Sequence, residues 1–163
     1  MKKLFLALAL VLPMMAMAQK IGHVNSSEIM AAMPELTEAQ KTLEASEAEY
    51  KKEMEAMQQE LQEKYKAFQD KANMLGEAER NKQLLELQDL DSRIQKFAEL
   101  SRQSLSEQQA KLMQPIQEKV YKAIEAEAKA KGLSYVLDQQ VMLYTGKDAV
   151  DITPGVKKAL GLK

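Results

Sequence analysis

The sequence predicts a mainly α-helical protein in which a long antiparallel helical hairpin projects from a small β-stranded body. Apolar residues recur at intervals of three and four over about eighty residues that contain no proline and a single glycine, Gly76. Short runs of β-type residues occur outside this stretch, near Ile21, Leu133 and Val141. We therefore assign residues 35–114 to a helical arm and the flanking residues to the body.

The chain begins with a segment that has the features of an export signal. Met1 is followed by two basic residues, Lys2 and Lys3, and then by apolar residues 4–12. Ala16-Met17-Ala18 is an A-x-A cleavage sequence. We expect residues 1–18 to be a signal peptide that is cleaved after Ala18. An uncleaved membrane anchor is the alternative, but residues 4–18 are fewer than the roughly twenty apolar residues that a membrane span needs.

Composition excludes several classes of function. The chain contains no cysteine, which excludes disulfides and a lipoprotein anchor. Without Lys2 and Lys3 it carries 21 basic and 24 acidic side chains, a balance unlike that of a nucleic-acid binder. The arm has 17 acidic and 12 basic residues, whereas residues 115–163 have 6 acidic and 8 basic residues. The arm is therefore acidic, and the C-terminal part is slightly basic.

The arm is predicted to consist of two helices of roughly forty residues joined by a tip at Leu75 and Gly76. Each helix would be about 60 Å long at 1.5 Å per residue. A compact domain of this size has a radius of gyration of only about 15 Å, so we expect the arm to project. If the helices pair about Gly76, residue i faces roughly residue 152 minus i.

This pairing predicts two unlike halves of the arm. Apolar residues are dense on facing positions of the outer half, near Gly76, whereas serine and glutamine interrupt the inner half. The apolar seam between the helices is expected to contain Tyr50, Met54, Met57, Leu61 and Phe68. Because the inner half buries little apolar surface, we expect a hinge near Tyr50 and Leu105.

The body is predicted from residues 19–34 and 115–163. Residues 21–25 form a strand and residues 28–32 a short helix. A helix after Pro115 ends at Gly132, and residues 133–138 and 141–144 form a β-hairpin around Gln139-Gln140. Thr153 is predicted to cap a final helix that ends at Gly161.

A sheet of this size leaves its edges exposed and is not stable by itself, so we expect a homo-oligomer. The predicted oligomerisation residues lie on the three strands: Ile21, Val24, Tyr135, Leu137, Val141 and Leu143. No catalytic, metal-binding or cofactor-binding set is predicted, because His23 is the one histidine and cysteine is absent. A position near the oligomer axis is the preferred interpretation of His23.

The order of these elements resembles the Skp/OmpH family of periplasmic chaperones over essentially all of the chain after residue 18. The resemblance rests on the leader, the strand at residues 21–25, Pro34-Glu35 before the arm, the two later β-type runs, Asp151-Ile152-Thr153, and a last helix with Val156, Lys158 and Leu160. It implies a trimer whose three arms enclose a cavity for unfolded outer-membrane proteins, without ATP.

We therefore predict an ATP-independent holdase in the periplasm, with unfolded outer-membrane proteins and further copies of the chain as partners. The alternative is a structural coiled-coil spacer or adaptor of the cell envelope. Family members often have basic arms, whereas this arm is acidic and is expected to repel lipid phosphates. Lipid contact by residues 115–163 stays open.

Methionine and aromatic side chains of the arm have two interpretations. Flexible thioethers suit a surface that accepts many clients, which would make Tyr50, Met54, Met57, Leu61 and Phe68 client contacts. Their spacing of three and four favours the simpler interpretation that they fill the seam between the helices.

Overall fold

The computed structural model describes residues 20–163, so the predicted signal peptide and its cleavage site lie outside the described residues. The elements follow in this order: β1 (Ile21–Val24), α1 (Ser26–Ala31), α2 (Pro34–Lys71), α3 (Glu77–Ala130), β2 (Tyr135–Asp138), a 3-10 turn (Gln139–Val141), β3 (Val150–Asp151) and α4 (Thr153–Ala159). The predicted fold class, mainly α with a small sheet and a long helical hairpin, is confirmed. None of the described helices is both long enough and apolar enough to span a bilayer.

The described chain divides into two compact units. One contains residues 30–119, and the other contains residues 20–29 and 120–163. The first is termed the arm unit and the second the sheet unit below.

In the arm unit, α2 and the first part of α3 pair in an antiparallel manner. Tyr50 lies edge-on to Phe97, with ring centroids 6.1 Å apart, and its hydroxyl is 2.8 Å from Ser104 Oγ. At the other end of the pairing, the Lys119 ammonium forms an ion pair with Glu35. Both polar contacts join residues whose numbers sum to 154, close to the 152 expected from pairing about Gly76.

The turn of the hairpin spans residues 72–76. The Arg80 guanidinium donates to the Ala72 carbonyl oxygen at 2.8 Å, and the Met74 N–H donates to the Lys71 carbonyl oxygen at 2.8 Å. A Cβ on Gly76 would meet no atom within 4 Å. Steric crowding therefore does not explain the glycine at this position.

Pro115, expected near the boundary between arm and body, lies inside α3 and does not end it. Proline removes one backbone donor and crowds the carbonyl four residues earlier, which usually kinks or breaks a helix. Here the flanking residues are rich in good helix formers such as Lys, Gln and Glu, and the helix continues for fifteen residues to Ala130.

The sheet unit contains a parallel three-stranded sheet in the order β2-β1-β3. The predicted antiparallel hairpin of residues 133–138 and 141–144 is wrong. The Asp138 carboxylate accepts the Gln140 backbone N–H at 2.9 Å and starts a 3-10 turn, because glutamine does not favour the positive φ of a tight hairpin. Residues 142–144 form no strand, and Val150–Asp151 pairs with β1 instead.

Glycine follows the ends of α3 and α4, as predicted. Gly132 and Gly161 have φ of 62° and 72°, and the next residue in each case donates to a carbonyl five residues back. The predicted cap by Thr153 is wrong. Its hydroxyl accepts the Asn25 N–H at 2.9 Å, while the Asp151 carboxylate accepts the Thr153 N–H at 2.8 Å. The hydroxyl therefore ties α4 to the end of β1.

One face of this sheet belongs to the core, and the other is exposed at β2 and at the start of β1. Alternate side chains of a strand point to opposite faces. Val24 is buried together with Ile29, Ile152 and Val156. Ile21, and Tyr135 and Leu137 of β2, point to the opposite face and are exposed. The second face thus leaves Ile21, Tyr135 and Leu137 uncovered within the sheet unit, while His23 on the same face is buried.

Candidate functional surfaces

The exposed face of the sheet carries three of the predicted oligomerisation residues. Ile21, Tyr135 and Leu137 are 51%, 56% and 44% exposed, and the register places Ile21 beside Tyr135. Val24 is 3% exposed, so it belongs to the core of its own unit. Large apolar side chains that cluster on a surface are typical of interaction sites.

Val141 and Leu143 lie beyond the sheet, in the segment that follows β2. They are 75% and 105% exposed, and Tyr144 beside them is 83% exposed. Their exposure fits an interaction role, although they do not form the predicted strand. Tyr144 was not among the predicted site residues, because Val141 and Leu143 are the alternate positions of a predicted strand that the structure does not contain.

Hydrogen bonds hold the end of β2 against α1. The Asp138 carboxylate accepts from the Ser26 hydroxyl and from the Gln140 N–H, and the Gln140 side chain donates to the Ser27 hydroxyl. The hydrogen bond from Ser26, with the one from Gln140, lowers the pKa of Asp138 below its usual range. This network fixes the position of the strand that carries Tyr135 and Leu137.

His23 lies on the same strand face as Ile21, between Leu137 and Asp151 in the register. Its ring is buried, and Nδ1 has no hydrogen-bond partner among residues 20–163. No group of three or more His, Asp or Glu side chains in the described part of the chain could hold a metal ion.

The structure places the predicted seam residues of α2 along one half-buried stripe. Tyr50, Met54, Met57, Leu61 and Phe68 are all of intermediate exposure, as are Leu75 at the tip and Leu105 on α3. The facing positions of α3 are more deeply buried at Leu87, Leu90 and Ile94. Each of the α2 residues therefore both contributes to packing and keeps some surface open.

The inner half of the hairpin is more polar than the outer half. Ser101 is 8% exposed, and its hydroxyl has no hydrogen-bond partner among the described residues. Ser104 hydrogen-bonds to Tyr50, and Leu100 on the same helix is exposed. A buried hydroxyl without a partner destabilises the packing around it.

The outer half carries an open apolar groove that no pattern in the sequence indicated. It has a volume of about 700 Å³ and is lined by Leu61, Tyr65, Leu84 and Leu87, with polar groups that include Gln88 and Asp91. Tyr65 and Leu84 are 52% and 38% exposed. Leu84 continues the three-and-four apolar spacing of α3, but spacing does not reveal how far a side chain is covered.

Comparison with known proteins identifies the family. The family model described as outer membrane protein (OmpH-like) matches residues 20–160. The chain belongs to the OmpH-like family. The resemblance drawn from the sequence is thereby confirmed.

Two members of this family align along most of the chain. The chaperone protein Skp of Vibrio cholerae is 24% identical over 143 residues, which are 88% of this chain and 84% of that protein. The solved structure of an OmpH-like outer membrane chaperone from Caulobacter crescentus has a TM-score of 0.75 at 17% identity, covering 86% of this chain and 82% of that one. The similarity to the Caulobacter structure supports the fold described above. Both relatives are described as chaperones, and neither description names an enzyme.

Proposed function

We propose that this protein is an ATP-independent periplasmic holdase that binds unfolded outer-membrane proteins. The observation that supports it most is the open apolar surface that remains on a hairpin of the OmpH-like family. Tyr65 and Leu84 leave about half and a third of their surface uncovered beside a groove of about 700 Å³. Unfolded chains share little except exposed apolar segments, so such a surface suits many clients.

The active form is a homo-oligomer, with three copies as the number that the family resemblance implies. The exposed sheet face of Ile21, Tyr135 and Leu137 would be covered by another copy, and β2 and β3 are the free edges of the sheet. Replacing Leu137 by Lys should reduce the mass measured by analytical ultracentrifugation. Leu100→Lys, a change at a similarly exposed leucine of the arm unit, is the control.

The arm bends in its inner half to fit clients of different size. Packing there depends on the contacts of Tyr50 with Phe97 and Ser104 and leaves the Ser101 hydroxyl unsatisfied. Many weak contacts along the arms would hold the client, and no single contact would be strong. Release then needs no nucleotide.

The test uses the chain without residues 1–18 and a barrel protein diluted from urea. Light scattering should rise more slowly when the protein is present in stoichiometric excess over the client than with an unrelated soluble protein at equal concentration. A coiled-coil spacer that holds folded partners would leave the scattering unchanged. Unchanged aggregation would therefore refute the holdase function.

A further inference from the structure

The groove of the outer arm combines an apolar floor with one carboxylate. Leu61 and Tyr65 from α2 face Leu84 and Leu87 from α3, and Asp91 lies one turn beyond Leu87. The volume of about 700 Å³ is within the range of about 300–1,000 Å³ that bound ligands occupy. The groove is large enough for side chains of a bound segment.

Asp91 forms no ion pair with any residue that the structure describes. Among the ion pairs of residues 20–163, Asp89 pairs with Arg93 at 3.2 Å and Glu86 with Lys82 at 4.0 Å, but none includes Asp91. Its carboxylate accepts a hydrogen bond from the neutral Gln95 amide at 2.8 Å. No lysine or arginine lines the groove, so its formal charge is negative.

The arm that carries the groove also has an excess of acidic residues. The arm as a whole contains 17 acidic and 12 basic residues. A carboxylate beside low-dielectric apolar walls attracts cations and repels anions more strongly than one in open water. Clients that carry positive charge next to an apolar segment therefore complement the groove in both respects.

We propose that this groove binds apolar segments of unfolded clients and that Asp91 makes it prefer segments flanked by lysine or arginine. The inference rests on the proposed holdase function and adds to it a location and a charge preference. Apolar side chains of the segment cover Tyr65 and Leu84, and a flanking cation pairs with the Asp91 carboxylate. A segment flanked by aspartate or glutamate meets repulsion at the same point.

The probes are two labelled peptides with the same apolar and aromatic centre, one flanked by lysines and the other by glutamates. Fluorescence anisotropy with the chain lacking residues 1–18 gives a dissociation constant for each. The lysine-flanked peptide should bind more tightly. Asp91→Asn should reduce the ratio of the two constants about two- to fivefold, the range expected for one exposed charge pair.

Two control variants separate the groove from the arm in general. Asp89→Asn removes one charge from the same helix outside the groove and should change the ratio less than Asp91→Asn does. Combined Tyr65→Ser and Leu84→Ser should weaken both peptides about tenfold, because each substitution removes apolar surface from the site. Leu85→Ser, at a leucine that is 65% exposed and does not line the groove, should leave both constants unchanged. Circular dichroism checks that the variants stay helical.

Two results would overturn the inference while the holdase function stands. One is suppression of aggregation with peptide affinities that the groove variants do not alter. The other is an equal effect of Asp91→Asn and Asp89→Asn, which would assign the preference to the total charge of the arm. If the unmodified chain neither binds the peptides nor slows aggregation, the proposed function itself fails.

Discussion

Replacing Ser101 by alanine should stabilise the arm unit. The serine hydroxyl is buried and unpartnered among the described residues, in the half of the hairpin that we propose to bend. Alanine removes this polar group and leaves a residue of nearly the same size. The substitution therefore tests both the packing of the inner half and the role of its weakness.

The magnitude follows from two contributions. A buried, unsatisfied polar group costs about 1–3 kcal/mol, and alanine exceeds serine in helix propensity by about 0.5 kcal/mol. The structure gives the Ser101 hydroxyl no hydrogen bond, but a rotation of its side chain toward the carbonyl four residues earlier would recover part of this cost, so we use the lower end of the range. We expect a gain of about 1–2 kcal/mol, and hence a rise in Tm of at least about 4 °C for a unit of 60–100 residues.

Thermal unfolding and amide hydrogen exchange measure the effect. Exchange should slow over residues 97–105 and much less at the tip. Ser106→Ala is the matched control, because Ser106 is exposed on the same helix and should contribute only the propensity difference. Ser104→Ala should destabilise the unit, since it removes the 2.8 Å hydrogen bond to Tyr50.

An unchanged or lower Tm for Ser101→Ala would refute the reasoning about the buried hydroxyl. If the variant is more stable but holds large and small clients as well as the original chain does, bending of the inner half is not needed for function. A loss of activity confined to the largest clients would support the hinge at Tyr50 and Leu105.

Three further predictions concern other parts of the structure. A Cβ on Gly22 would lie 2.5 Å from the nearest side-chain atom and 3.1 Å from a backbone oxygen. Gly22→Ala should therefore destabilise the sheet unit by about 1–3 kcal/mol, as measured by urea unfolding. Gly76→Ala is the control and should be near neutral, because a Cβ there meets no atom within 4 Å. The hydrogen bonds of the Asp138 carboxylate lower its pKa in the folded protein. Their contribution to stability is therefore complete above the unfolded pKa of about 4 and is lost as the pH falls through the folded pKa. Asp138→Asn should reduce the free energy of unfolding at pH 7 by about 1–2 kcal/mol and flatten its dependence on pH in the acid range. Replacing Met54 and Met57 by leucine should change stability by less than about 1.5 kcal/mol, and an accompanying loss of client binding in the light-scattering assay would identify the two methionines as client contacts.

Features set by near neighbours in the chain could be predicted. Helical spacing of three and four defined the hairpin, because residues at this spacing share one face whatever the rest of the chain does. Gly132 and Gly161 marked helix ends for the same local reason, since glycine adopts positive φ without steric cost. The pairing of Tyr50 with Ser104 then followed to within two residues from the position of the turn.

The sheet could not be predicted in this way. Its central strand pairs with segments more than a hundred residues away, and β3 has only two residues, too few for any period to appear. Two β-type runs in succession suggested a hairpin, but the hydrogen bond from Gln140 to Asp138 turned the chain away after the first. Val141 and Leu143 consequently lie outside the sheet.

The sequence by itself determined that this chain forms a long helical hairpin with an acidic surface, since periodicity and charge are properties of the residues in order. The tertiary structure decided which apolar side chains are covered. Leu84 and Leu90 both continue the apolar pattern of α3, yet Leu90 is 2% exposed and Leu84 borders an open groove. Burial depends on what the opposite helix presents at each level, and that complementarity appears only once the two helices are packed together.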